Sequence, residues 1–215
     1  MARRLEILRA AGREFRARGF LETGMRDIAI AAELSPGNLY NYYQSKHEIL
    51  FFCQSSSLDR LIEALEKARR ARGTAAARLR LVVVSHLHCV LDEVEGSAAH
   101  LLTNGLPEHQ RRYLLEKRDL YERGVRNLIL SGMRKGEFVP GDAALVTRAM
   151  LGALNWSVQW YRPSGPQTAA EIAEQLADYL IRGLLAKPDS LEKCASEREA
   201  PRSLRNLRQT VRDIA

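Results

Sequence analysis

Cysteine is scarce in this chain of 215 residues: Cys53, Cys89 and Cys194 lie far apart, are odd in number and form no C-x-x-C pair. That usage excludes a disulfide framework and fits a reducing compartment. Long apolar runs are also missing, since no stretch approaches the roughly 18 consecutive apolar residues of a membrane span. The opening MARRLEILRAAGREF is basic but has neither an uninterrupted apolar stretch nor a small-residue cleavage site, so it does not read as a secretory signal. Enzyme signatures are absent too: there is no G-x-S-x-G, P-loop or H-E-x-x-H, and no carboxylate pair at a meaningful spacing. His86 and Cys89 stand one helical turn apart, but a metal needs more ligands than these and a distant His100. The expectation is a cytoplasmic protein that is not an enzyme and carries no cofactor and no metal.

What is present is ordinary for a globular protein, with 46% hydrophobic and 27% charged residues, and this rules out disorder as the main state. Lys and Arg number 33 against 26 Asp and Glu, a formal charge of +7. Such an excess suits a polyanionic partner, either nucleic acid or an anionic membrane, and equally a solvated basic surface. Its distribution does not choose among them. Residues 1–50 carry 8 basic and 6 acidic side chains, residues 187–215 carry 7 and 5, and the densest basic stretch, residues 66–80, carries 6 and 1.

Gly and Pro fall between long stretches of helical periodicity, and convincing alternation is absent, so the predicted fold class is all-α. The run Leu81-Val82-Val83-Val84 would pass for a strand by itself, yet its flanks continue the helical pattern and make it buried helix. Capping chemistry sets the boundaries. One helix covers about 4–18 and stops at Gly19, a short one covers 25–32, and Ser35-Pro36 opens a third. Ser45 with Glu48 makes a capping box for a long helix that runs to residue 66 or 70. Thr74, Pro107, Asp142 and a Thr168–Glu171 box open four more, ending near 93, 136, 162 and 186. A weaker helix at 97–102 brings the count to nine. Domains are expected at 1–46, 47–187 and 188–215. In the last, Leu204, Leu207, Val211 and Ile214 make one apolar stripe beside four arginines, either an amphipathic helix that docks or a frayed tail.

Residues 25–43 read as helix, short turn, helix, and Ile28, Ala29, Ala32, Leu39 and Tyr43 can pack on Phe15 of the first helix. That leaves the second short helix projecting outward, as a helix entering a DNA major groove must. Its exposed positions would be Gly37, Asn38, Tyr40, Asn41 and Tyr42. Asn can bond adenine through two hydrogen bonds, a Tyr hydroxyl can bond phosphate, and a bare Gly lets backbone come close. Lys46 follows at a helix N-terminus, where cation and free N–H groups both attract phosphate. A plain helical hairpin with a polar face would show some of this.

The stretch GFLETGMRDIAIAAELSPGNLYNYYQSKHEIL, however, resembles the DNA-binding domain of TetR-type transcriptional repressors, with its G-F, T-x-x-R-D-I-A and G-x-L-Y-x-Y-[aromatic]-x-x-K marks. The resemblance implies a helix-turn-helix homodimer that binds a palindromic operator at the nucleoid and leaves it when a ligand enters the C-terminal domain. By position, Arg26 with Gly37, Asn38, Tyr40 and Asn41 would face bases, Tyr42 and Lys46 would grip phosphates, and Ser35, at the head of the recognition helix, is counted with these DNA-binding residues. Gly24 departs from the usual capping Thr, and Tyr43 from a common Phe.

Further on, NWSVQWYRPSGPQTAAEIAEQL is similar to the W-Y-R-P-x-G-P segment of TetR-type regulators of fatty-acid, steroid-ring and aromatic-acid catabolism. That resemblance implies an acyl-CoA thioester as effector. Trp156 and Trp160, one turn apart, would line a hydrophobic pocket or else pack a core or dimer face. His86, His88, Asn155, Gln159, Tyr113 and Tyr121 are candidates to orient a thioester carbonyl, or are satisfied interior groups. Arg111, Arg112, Lys117, Arg118 and Arg162 are available for CoA phosphates. For dimerisation, Ala149, Gly152 and Ala153 permit close helix approach, and Ile172, Leu176, Tyr179, Leu180 and Leu184 supply apolar area, so that two helices per chain make a four-helix interface. The rival reading is a helical lipid- or acyl-binding carrier or adaptor without DNA binding.

Overall fold

The computed structural model describes residues 2–91 and 106–186, which form eight helices. They are α1 (Ala2–Arg18), α2 (Met25–Ala31), α3 (Pro36–Tyr40), α4 (Lys46–Arg70), α5 (Ala75–Leu91), α6 (Glu108–Arg134), α7 (Ala143–Trp160) and α8 (Ala169–Arg182). The helix expected at 97–102 and the tail at 188–215 lie outside the described residues. The Leu81–Val84 run is helical, within α5.

Local chemistry explains where these helices start and stop. Gly19, at φ +84°, ends α1, and the Thr23 hydroxyl donates to its carbonyl at 2.7 Å. With Gly24 at the N-cap of α2, capping falls to Asp27, whose carboxylate accepts from the Gly24 N–H at 2.8 Å. That bond, with the nearby Arg18, holds the Asp27 carboxyl below its usual range. Between α2 and α3 the chain turns through Glu33, at φ +54°, and Arg3 of α1 bonds the Ala32 and Glu33 carbonyls at 3.0 and 3.2 Å. Ser35 caps α3 through the Asn38 N–H. Ser45 caps α4 as expected, but the reciprocal half of its box differs: Glu48 accepts from the Gln44 N–H, one residue earlier than the N-cap. The Thr168–Glu171 box of α8 is complete in both directions.

One cap comes from a distance. The Glu137 carboxylate accepts from the Ala75 and Ala76 N–H groups, so the loop after α6 closes the start of α5. The same loop bridges to the chain beyond α8, with Val139 N–H to the Leu184 carbonyl and Ala186 N–H to the Glu137 carbonyl. Helix α8 therefore stops at Arg182, a turn earlier than the sequence suggested.

Two large hydrophobic clusters result, beside a small one of Leu58, Leu106 and Leu114. The first gathers Ile7, Ala11, Phe15, Phe20, Ile28, Ala29, Leu39, Tyr43, Ile49, Leu50 and Cys53, with the Phe15 and Phe20 rings 5.2 Å apart. The second runs from Leu61 and Leu65 of α4 through α5, α6, α7 and α8, with Phe138 fully buried against Gly132. Helix α4 thus belongs to both. Its first half closes a three-helix unit and its second half packs on α5 and α6.

Candidate DNA interface and effector cavity

The first cluster faces inward and leaves α3 on the outside. Gly37, Asn38, Tyr40 and Asn41 are exposed, as is Arg26 on α2, while Tyr42 is half-buried. Arg26, Tyr40 and the first residues of α4 line one open recess. A Cβ added at Gly37 would meet nothing within 4 Å, and its φ is not positive. That space is open to solvent. Ser35 is occupied as the cap of α3.

Lys46 departs from the expected free phosphate grip. Its ammonium donates to the carbonyls of Phe20, Leu21 and Thr23 at 2.9, 3.0 and 3.0 Å and sits 4.8 Å from the centre of the Phe20 ring. Those three bonds use all its donors. Lys46 therefore ties α4 to the turn after α1.

Polar groups of the second domain converge elsewhere. A cavity of about 360 Å³ lies between α4, α5, α6 and α7, walled by Leu58, Leu61 and Leu151 and by the polar residues His86, Tyr121 and Asn155. The His86 ring is buried, with Nδ1 3.1 Å from the Tyr121 hydroxyl and Nε2 3.1 Å from Asn155 Oδ1. Because Asn155 Oδ1 can only accept, Nε2 carries the proton and Nδ1 accepts from the tyrosine O–H. Burial enforces this neutral form: it pulls His86 down to about 4 and pushes the Tyr121 phenol up. At the rim stand Arg118, Arg148 and Glu122. Burial also lowers Arg118, whose guanidinium donates to Gln54 Oε1 at 3.2 Å. Arg148 is largely exposed and lies 3.9 Å from Glu122.

Of the residues expected to hold a ligand, Tyr121, Asn155 and His86 meet in this cavity; the others do not line it. Trp156 is 65% and Trp160 47% exposed on the outer face of α7, and Gln159 is exposed beside them. Asn155 and Trp156 are neighbours about 100° apart on a helix, so only one can face inward. His88 lines a separate groove between α4 and α5. Tyr113 is exposed, with its ring under the Lys117 ammonium. Among the proposed phosphate-binding cations, only Arg118 borders the cavity. Lys117 is bound to Asp59 and Ser55, Arg111 pairs with Glu108, and Arg162 donates to the Gln159 and Tyr161 carbonyls. Arg148, Leu58, Leu61 and Leu151 were not anticipated. Their signal is helical spacing, with Arg148, Leu151, Gly152 and Asn155 on one side of α7 and Arg118, Tyr121 and Glu122 on one side of α6.

The dimerisation set divides as well. Ala149 and Ala153 are exposed along α7 with Leu145, Trp156 and Trp160, Gly152 is exposed at the border between that stripe and the cavity, and Tyr179 on α8 is 76% exposed. Leu176 and Leu180 are half-buried against the second cluster. Ile172 is buried inside the protomer, because it points from α8 into the core, and Leu184 lies past the end of α8 in the bridge to Val139. Neither stands on the outer face.

A helix-turn-helix unit joined through one long helix to a helical domain with an internal cavity defines a ligand-responsive, DNA-binding transcriptional regulator. Residues 7–51 match the model of bacterial regulatory proteins of the tetR family, and residues 72–184 match that of the tetracyclin repressor-like C-terminal domain. The chain belongs to the TetR family. It is 28% identical over 193 residues to the HTH-type transcriptional repressor KstR2 of Mycobacterium tuberculosis, covering 85% of this chain and 93% of that protein. The crystal structure of the TetR-family regulator PfmR from Thermus thermophilus is 32% identical, with a TM-score of 0.74 over 83% of this chain and 98% of that one. AibR, crystallised with isovaleryl coenzyme A and operator DNA, shares the fold, with a TM-score of 0.73, 24% identity and coverage of 86% and 98%. Among the described residues no helix is long and apolar enough to cross a membrane.

Proposed function

We propose that this repressor binds a palindromic operator as a homodimer and leaves it when an acyl-CoA thioester enters the cavity between α4 and α7. The observation that carries the reading is the buried, neutral His86–Tyr121–Asn155 array set in leucine walls beneath two arginines. The His86 N–H and the Tyr121 O–H are engaged within the array, so the Asn155 amide N–H is its neutral donor toward a thioester carbonyl, which accepts hydrogen bonds without bringing a charge into an apolar site. A volume of about 360 Å³ is at the small end for a ligand site. It suits an acyl group, with the CoA nucleotide outside, where Arg118 and Arg148 can meet its phosphates. AibR, of the same fold, binds isovaleryl coenzyme A, which supports this choice of ligand class.

Arg26, Gly37, Asn38, Tyr40 and Asn41 read bases in this account, Tyr42 holds phosphate, and Ser35 and Lys46 keep α3 and α4 in position. The outer stripe of α7, from Ala149 through Gly152 and Ala153 to Trp156 and Trp160, meets its copy across a two-fold axis with Tyr179, Leu176 and Leu180 of α8. Residues 1–46 serve DNA, residues 47–187 serve effector and partner, and residues 188–215 form a separate tail. The protein works in the cytoplasm at the nucleoid and has no catalytic step. Because α4 belongs to both clusters, an effector that tilts it changes the separation of the two recognition helices, and half-sites one turn of DNA apart no longer fit.

Thermal shift with long acyl-CoAs, aryl-CoAs and the matching free acids, alongside operator shift assays, tests the reading. CoA esters are expected to stabilise the protein and release DNA. Stabilisation by free acids alone would reject the thioester, and binding of acyl-CoA without any salt-dependent DNA binding would favour a carrier.

A further inference from the structure

Helices α5 and α7 are joined through the polar array by the bond between its central residue, His86, and Asn155. Both helices then run to the same point. At the end of α5 the Leu91 carbonyl accepts from Arg16 Nη1 at 3.4 Å, and at the end of α7 the buried Tyr161 ring lies 5.3 Å under the Arg16 guanidinium. Arg16 belongs to the last turn of α1, in the DNA-binding unit. From Asn155 to Tyr161 is about 9 Å of helix, and from His86 to Leu91 about 7.5 Å. The third guanidinium position, Nη2, is buried and finds no acceptor among the described residues. Among the described residues this cation is held by one long hydrogen bond and one ring face, both at helix ends, so movement of either end changes how well it is held.

We propose that Arg16 is the positioning residue through which the cavity acts on α1: it grips the ends of the two helices that an effector would push apart. This rests on the effector occupying the His86–Asn155 cavity, and adds to α4 a second link between the domains. Any ligand that replaces the His86–Asn155 bond frees α5 and α7 to move relative to each other, and Arg16 registers the change because it holds both.

A double-mutant cycle needs no knowledge of the effector. A duplex selected from a random pool by the wild-type protein serves as operator, and its Kd is measured by fluorescence anisotropy for wild type, Asn155→Ala, Arg16→Gln and the double variant. With Arg16 present, Asn155→Ala is expected to change the operator Kd at least fivefold; in the Arg16→Gln background the change falls below twofold. Arg16→Lys keeps a cation against Tyr161 and is expected to restore most of the difference. Uncoupled residues multiply their separate effects to within about twofold, and that result overturns the proposal. So does an Arg16→Gln variant that merely melts lower and weakens operator binding equally in both Asn155 backgrounds. If no CoA ester releases the wild type, the thioester reading fails, while the cycle still decides the role of Arg16.

Discussion

The two halves of α4 serve regions built on opposite plans. Its first half closes a unit that hides small and aromatic apolar side chains and turns its polar groups outward, at Arg26, Asn38, Tyr40 and Asn41. Its second half joins a domain that hides a polar array, His86–Tyr121–Asn155, and turns large apolar groups outward, at Leu145, Trp156, Trp160 and Tyr179. The difference follows from what each region meets. DNA is polar and reached from outside. A hydrophobic effector must be enclosed, and a second protomer can cover an exposed apolar stripe.

That contrast can be broken at its apolar surface first, where the largest effect is expected. Trp156→Arg puts a charge on the stripe, and two-fold symmetry repeats it. Hot-spot tryptophans contribute about 2 kcal/mol or more each, so roughly 4 kcal/mol of dimer stability should go. Sedimentation velocity should show a monomer at micromolar concentration; an unchanged dimer would place the interface elsewhere.

The buried array comes next. His86 is held at about 4 by burial, below its ordinary 6.5, so between those values the unfolded chain carries a proton that the folded chain lacks. Stability is therefore full above pH 6.5 and is lost as pH falls toward 4, at about 1.4 kcal/mol per unit and roughly 3 kcal/mol in all. Urea titrations of wild type and His86→Gln across that window should show the slope in the first and its loss in the second. An equal slope in both would mean that His86 does not carry it.

A smaller effect is expected in the DNA-binding unit, from Lys46→Ala. Its three carbonyl bonds should be worth about 2 kcal/mol together, lowering the melting temperature of the unit. Tyr42→Phe should instead weaken operator binding with little change in melting. The smallest change is Ser35→Ala, which removes the cap of α3 at about 1 kcal/mol, again read by thermal melting.

How far each region was legible in its sequence follows the same division. The DNA-binding unit is specified locally: Ser35-Pro36, the Ser45 cap and the spacing of Ile28, Ala29, Leu39 and Tyr43 lie within some thirty residues and set both the helices and the outward face. The three carbonyl partners of Lys46 were not legible, because no side-chain pattern reveals backbone acceptors. In the second domain, the helices were equally legible from Asp142 and the Thr168–Glu171 box. Their rotation was not. Whether Asn155 or Trp156 faces inward depends on packing against α4, α5 and α6, and a helix apolar on several sides leaves that choice open. The borrowed cap from Glu137 and the early end of α8 have the same origin, in contacts between residues sixty positions apart or in a late bridge.

The central claim is that occupancy of the cavity between α4 and α7 controls operator binding. The most direct measurement is operator anisotropy, titrated with a panel of short, long and aryl CoA esters, for wild type and for Leu151→Trp, which fills the cavity with an indole. At least one ester is expected to release the wild type from DNA, and the same ester to fail to release Leu151→Trp. Release that persists in the filled variant, or a wild type indifferent to every ester, would contradict the claim.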